Sequence, residues 1–294
     1  MTKTAWVFPG QGSQKIGMGA DLLEQSTAQV KFSQAEEILG WSVYDVCQHE
    51  EDKVSYVPYT QPCLYVIESI LASLMLERGH QPTLLAGHSL GEYVALNAAG
   101  VFDFETGLQL VKRRAELMAM AADGMMAALI GFEREQLEQH IQQTPGVVLA
   151  NDNSPAQVVI SGTPEAVESV LSQVKAKRAV KLNVTGAFHS PLMAEAEAEF
   201  RQVLQAISFK TAQIPVVSNV IPLPTVEADV LKQRLAQQMT GSVRWREISL
   251  HLSAAGIEQI VEIGPGNVLT GLMKRTCRGL TLKNINGAKD MWEA

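Results

Sequence analysis

The residues best suited to chemistry stand at Gly87-His88-Ser89-Leu90-Gly91. A serine with glycine two positions away on either side fits the GxSxG nucleophile elbow, in which a sharp strand-to-helix turn lifts the hydroxyl clear of the backbone. The turn demands small residues because chain segments pass close together there. The helix that follows aims backbone N–H groups at any negative charge developing beside the serine. A serine that merely caps a helix after a glycine turn leaves the same pattern, so a base must be found before the motif means catalysis.

Histidine is the usual acceptor of a serine proton near pH 7. Of the six histidines, His49, His80, His140 and His251 lie in polar stretches or near helix ends and read as surface residues. His88 adjoins the serine but should point away from it across a tight turn, bracing the elbow. His189 remains, in Gly186-Ala187-Phe188-His189-Ser190-Pro191, just ahead of a helix expected to start at Pro191. No Asp or Glu between Ser89 and His189 stands in a triad-like setting. A Ser–His dyad is therefore expected, its imidazole oriented by a backbone carbonyl or an amide.

Two more segments belong to the same chemistry. Phe8-Pro9-Gly10-Gln11-Gly12-Ser13-Gln14 is a glycine-rich turn, yet Lys15 stands where GxGxxG needs glycine, and Met18 stands where a P-loop begun at Gly12 needs lysine. It reads instead as a loop whose backbone N–H at Gln11 is a second oxyanion donor opposite Leu90. Lys112-Arg113-Arg114 interrupts a helix whose apolar face carries Leu108, Val111, Ala115 and Met118. Most such basic runs are solvated. If one arginine turned inward, its guanidinium would grip a carboxylate through two parallel bonds and select a dicarboxylic acyl group.

These residues need a scaffold. The first half alternates short strand-like runs, Ala5 to Phe8 and Thr83 to Ala86, with helical patterns at Ala28 to Leu39 and Gln61 to Glu77, as an α/β sheet does. From Met125 the grammar changes. Strand Met125 to Ile130, helix Arg134 to Gln143, strands Val147 to Ala150 and Gln157 to Ile160 joined by a hairpin through Asn151 to Pro155, a helix from Pro164 to Lys175 capped by Thr163, and strand Arg178 to Val184 spell βαββαβ, a ferredoxin-like unit. A helix from Pro191, a strand near Pro215 to Asn219, a helix through Val230 to Met239 and a strand at Gln259 to Ile263 then resume the first pattern. The expected division is a discontinuous large α/β unit, 1–123 and 190–294, with a small unit inserted at 124–189.

Composition bounds the function. With 294 residues, 46% hydrophobic and 19% charged, the chain has a large core to bury and too little charge for disorder. A net charge of −7 disfavours nucleic acid as the main partner. The richest apolar stretch, Leu117 to Phe132, is broken at Asp123-Gly124 before reaching the length of a membrane span. Cys47, Cys63 and Cys277 share no metal-ligand or redox spacing and suit a reducing cytoplasm; the short apolar run near the N-terminus suggests no secretion signal.

With these pieces placed, the chain resembles the malonyl-CoA:acyl carrier protein transacylase family and the acyltransferase domains of fatty acid and polyketide synthases. The likeness runs in order through Phe8 to Gln14, Thr60-Gln61-Pro62, Gly87 to Tyr93, Arg114, Asn153-Ser154-Pro155, Phe188-His189-Ser190 and Glu262-Ile263-Gly264-Pro265-Gly266. It implies a hydrolase-like α/β large domain carrying a ferredoxin-like small one, with the site between them. It also implies Ser89 as nucleophile, His189 as base, Arg114 as carboxylate grip, Gln11 and Leu90 as oxyanion donors, and Phe188 as the ring that fills the space of an extra methyl and favours malonyl. The residue whose main chain orients the histidine falls near Gln238, beside an adjacent Gln237. The implied reaction takes malonyl-CoA and acyl carrier protein as substrates, with phosphopantetheine carried by the acceptor, and calls for no metal, bound cofactor, nucleic acid or membrane. Carrier docking falls to Lys175, Lys177, Arg178 and Lys181, or to Lys274, Arg275 and Arg278. A serine thioesterase, a carrier-docking protein and an acyltransferase serving a polyketide assembly line are the rival readings; the retained arginine, serine and histidine argue against the first two.

Overall fold

The computed structural model describes residues 2–121, 124–184 and 186–292. Asp123, on one side of the expected 123/124 boundary, and Thr185 lie outside the described residues. Among the described residues ten strands form two sheets: β1 (Thr4–Phe8), β2 (Leu84–Gly87), β3 (Met125–Phe132), β4 (Val147–Ser154), β5 (Gln157–Gly162), β6 (Ala176–Lys181), β7 (Val216–Val217), β8 (Pro224–Thr225), β9 (Gln259–Ile263) and β10 (Thr281–Ile285). The larger runs β10-β9-β1-β2-β7-β8 and is parallel except for the β7–β8 pair. This is the hydrolase-like α/β architecture expected from the alternation of elements.

Both faces of the parallel sheet are covered, so its strands carry apolar residues on both sides. Along β1, Trp6 and Phe8 enter one core while Ala5 and Val7 enter the other, and β9 divides Val261 and Ile263 from Ile260 in the same way. The helix Val57–Glu77 lies in the first of these cores, buried on nearly all sides from Thr60 to Met75. It begins a turn earlier than its apolar run suggests, because Pro58 fits the first turn, where its missing N–H costs nothing. Helices Trp245–Ala254 and Val268–Thr276 cover the opposite face.

The small sheet is antiparallel in the order β4-β5-β3-β6, and with helices Arg134–Gln143 and Pro164–Gln173 it is the ferredoxin-like βαββαβ unit. One expectation fails. Asn151 to Ser154 are not a hairpin loop but the end of β4, which runs on with register shifts to a tight turn at Pro155-Ala156. Tertiary partners override the turn-forming residue types. Asp152 N–H donates to Val243 O (2.9 Å), Val243 N–H to Ala150 O (2.8 Å), and the Asp152 carboxylate pairs with Arg134 and Arg246. The contacts to Val243 and Arg246 fasten the small sheet to the large unit. The last strand, β6, also ends at Lys181 rather than Val184.

Candidate active site

The chain crosses from β2 to helix Gly91–Ala98 through His88-Ser89-Leu90. A Cβ on Gly87 would lie 1.9 Å from the Gly91 backbone, and one on Gly91 would lie 2.0 Å from Phe8 O, so only glycine fits either position. Ser89 sits at φ 52°, and His189 at φ 56°; among the described residues no other non-glycine residue has positive φ. Strain of this kind persists where neighbours over-determine the backbone. At Ser89 the neighbours are Asn219, whose Oδ1 accepts Ser89 N–H at 2.7 Å, and Gln238, whose Nε2 donates to Ser89 O at 2.9 Å. Asn219 also donates from Nδ2 to Gly87 O (2.6 Å), so one side chain from beyond β7 spans the elbow. At His189 the backbone N–H is held by Met239 O (3.1 Å).

The Ser89 hydroxyl donates to His189 Nε2 (2.8 Å). The opposite ring nitrogen, Nδ1, donates to Gln238 O (2.8 Å) and lies 3.2 Å from Gly241 O. Carbonyls only accept, so Nδ1 carries the proton and Nε2 is left bare as a base. The carbonyl that meets Nδ1 is that of Gln238 and not of Gln237, which is the last helical residue and whose carbonyl accepts from Gly241 N–H. Burial first, then the nearby Arg114 charge, pull the His189 imidazole down to about 3, so it is neutral throughout the physiological range.

Arg114 turns inward and is 1% exposed, whereas Arg113 pairs at the surface with Glu199 and Lys112 binds Ile38 O. Its Nη1 donates to Gln61 Oε1 (2.6 Å), and Nη2 donates to Ser89 Oγ (2.9 Å) and Gln238 Oε1 (3.1 Å). The guanidinium lies 5.4 Å from the Tyr93 ring centre. Burial lowers its pKa, but an arginine this far above neutrality keeps its charge. Among the described residues no carboxylate touches this buried cation directly, so a small anion could pair with it beside Ser89.

Gln11 and Leu90 line the same pocket of about 100 Å³, along with Ser89, His189, Arg114 and Phe188. Gly10 brings the two loops together: a Cβ there would lie 2.4 Å from His88 O. Because the Ser89 N–H is already given to Asn219, the next N–H, that of Leu90, is the elbow donor left to face an oxyanion. From the small sheet, Met126 and Asn151 form the facing wall, with Leu182 just beyond β6. His88 points away from Ser89 as expected: its Nε2 donates to Asn153 Oδ1 (2.8 Å) and its ring packs on Trp245.

The sequence reading passed over three members of this site. Glu92 is fully buried, and its Oε2 accepts from Gln238 Nε2 (2.7 Å) and Asn219 N–H (3.1 Å). Burial pushes its carboxyl up to about 7, against the pull of those bonds and of Arg114. An acid in the first turn of a helix reads as an exposed dipole partner, so nothing local signals its burial. Asn219 is an unremarkable strand-end residue in sequence, and Gln61 carried no role although its motif was noted. Among the described residues no cluster of potential metal ligands occurs, and no helix is long and apolar enough to cross a membrane.

Comparison with known proteins gives consistent likenesses. Residues 5–291 match the family described as acyl transferase domain. The chain is 60% identical over 289 residues, covering 98% of it and 99% of the relative, to a malonyl CoA-acyl carrier protein transacylase of Synechocystis sp.. The crystal structure of the Synechocystis malonyl-CoA:ACP transacylase superposes with a TM-score of 0.98 at 59% identity, covering 99% of this chain and all of that one. A malonyl-transacylase solved in complex with its type II PKS acyl-carrier protein gives 0.94 at 36% identity, covering 100% and 99% of the two chains.

Proposed function

This chain belongs to the acyl transferase domain family, and we propose that Ser89 and His189 carry its malonyl groups from malonyl-CoA to the phosphopantetheine thiol of acyl carrier protein, supplying fatty acid synthesis. The observation that carries this reading is the Ser89 hydroxyl held between a neutral imidazole at 2.8 Å and a buried guanidinium at 2.9 Å. A hydrolase needs the first contact but gains nothing from the second.

Malonyl enters with its carboxylate on Arg114, displacing the contact to Ser89 Oγ. This pairing neutralises the charge that depresses His189, so the substrate itself strengthens the base. Ser89 Oγ attacks the thioester carbonyl as Nε2 takes its proton, and the N–H groups of Gln11 and Leu90 receive the oxyanion. Collapse expels the coenzyme A thiol, which leaves with the proton from His189. The carrier's thiol then gives its proton to the same nitrogen, attacks the malonyl ester and restores Ser89, closing a ping-pong cycle. No bound cofactor takes part in this scheme; the coenzyme A thioester is substrate. Phe188, lining the pocket beside His189, disfavours a branched acyl chain by bulk.

For the acidic carrier, the exposed Lys175, Lys177, Arg178 and Lys181 on the small unit and Lys274, Arg275 and Arg278 near the C-terminus are the docking candidates. Lys181 is engaged by Glu168 and Arg275 by Gln157. A cytoplasmic location is supported by the free Cys47, Cys63 and Cys277, which suit a reducing compartment.

The test is to mix the protein with malonyl-CoA alone, quench in acid and map the adduct by mass. One malonyl on the Ser89 peptide, absent from Ser89→Ala and discharged by acyl carrier protein, is expected. Free malonate released without carrier would make it a hydrolase, and no adduct would leave only carrier docking.

A further inference from the structure

The cycle above makes no use of Glu92, yet this carboxylate is buried directly behind the pocket. A single amide stands between it and Arg114: Gln238 Oε1 accepts from Arg114 Nη2 at 3.1 Å, and Gln238 Nε2 donates to Glu92 Oε2 at 2.7 Å. The groups that face Glu92 are Arg114 from helix Phe104–Met120, Arg234 from helix Ala228–Gln237, Tyr93 from its own helix, and Ser218 and Asn219 beyond β7. Its hydrogen bonds from Gln238 and Asn219 both fall on one oxygen, Oε2. Neither uses Oε1, and the Ser218 hydroxyl is the further polar group that bears on this carboxylate.

Count the charges as the site fills. Empty, it holds one buried cation and one buried anion. With malonyl bound, two carboxylates share Arg114, which like Glu92 is 1% exposed, and the surplus negative charge must be relieved. Oε1 is where a proton can go while Oε2 still accepts from Gln238 and Asn219, with the Ser218 hydroxyl turning to accept from Oε1–H. We infer that Glu92 is a positioning residue that acts as counter-ion to Arg114 in the empty site and takes one proton from solvent when a malonyl carboxylate docks on Arg114. The inference rests on the malonyl reading given above. Burial, which already holds the Glu92 carboxyl at about 7, means that a second negative charge need add little.

The consequence is that malonyl binding weakens as pH rises above about 7, by roughly tenfold per pH unit, because each binding event must first collect a proton. Isothermal titration of Ser89→Ala with malonyl-CoA at pH 8, in two buffers of different ionisation enthalpy, should read uptake of about one proton. Acetyl-CoA, which shares every ionisable group except the carboxylate, should read none. Malonyl-CoA binding with no more uptake than acetyl-CoA would overturn the inference, with no further variant required. In the double variant Ser89→Ala/Glu92→Gln, whose amide oxygen can keep both bonds to Oε2, the uptake and the pH dependence of affinity should vanish; persistence of either would also overturn it. Failure of the functional reading is recognised separately, as absence of a malonyl adduct on wild-type Ser89.

Discussion

The parallel sheet and the antiparallel sheet face each other across one pocket but supply it with different kinds of residue. From the C-terminal edge of the parallel sheet come Gln11, Ser89 and Asn219, and hydrogen bonds connect Ser89 and Asn219 to the buried Arg114, Glu92 and Gln238 around two left-handed residues. From the small sheet come Met126 and Asn151, with Leu182 just beyond β6, none able to exchange a proton near neutrality. Reacting groups sit where many partners over-determine the backbone, at the mouth of a doubly covered sheet. The facing wall needs only shape, and the antiparallel sheet provides it.

That contrast can be broken by mutation. Ser89→Ala should remove the acyl-enzyme and cost on the order of 10⁴ or more in kcat, read by single-turnover transfer; a loss below a hundredfold would mean another nucleophile. Arg114→Ala should cost about 10²–10³ in kcat/KM for malonyl-CoA, while acetyl-CoA changes by less than about tenfold. Equal losses for both substrates would remove its role as carboxylate grip. Across the cleft, Asn153→Ala orphans the buried His88 Nε2–H and should lower stability by about 1–3 kcal/mol in urea titration, with acylation largely kept. Met126→Ala, on the same side, should change kcat/KM by only a few-fold. If it matched Arg114→Ala, the wall would be doing more than shaping the pocket.

The smallest expected effect is on pH. An imidazole of ordinary basicity would lose its role as pH falls through about 6.5. His189, held at about 3 in the empty site, stays a free base well below that, so the acylation rate of acetyl-CoA should be flat from pH 8 to 5. An inflection near 6.5 would show that the base is more exposed to water than the buried geometry implies.

What the sequence could disclose depended on how local each cause was. The elbow was legible because close packing at Gly87 and Gly91 demands glycine, and the inserted unit because its periodicities switch in order. Arg114 was within reach: it lies four residues after Leu110 and three after Val111, on the buried stripe, whereas Arg113 does not. The continuation of β4 through Asn151 to Ser154 was not legible, since turn-forming residues were recruited into a strand by Val243, Arg246 and His88, far away in the chain. Glu92 and Asn219 were missed for the same reason. Each looks ordinary among its neighbours and gains meaning from a partner more than 120 residues distant.

The bond from Ser89 to His189 spans 100 residues, and that from Ser89 O to the Gln238 side chain spans 149. A ribosome builds these partners in that order. The nucleophile therefore emerges long before its base, and the base before the carbonyl that sets its tautomer, while β1 must wait for β9 to close its second edge. A half-made chain holds a serine with nothing to activate it, so reactivity toward thioesters arrives late in synthesis, together with the fold that confines it.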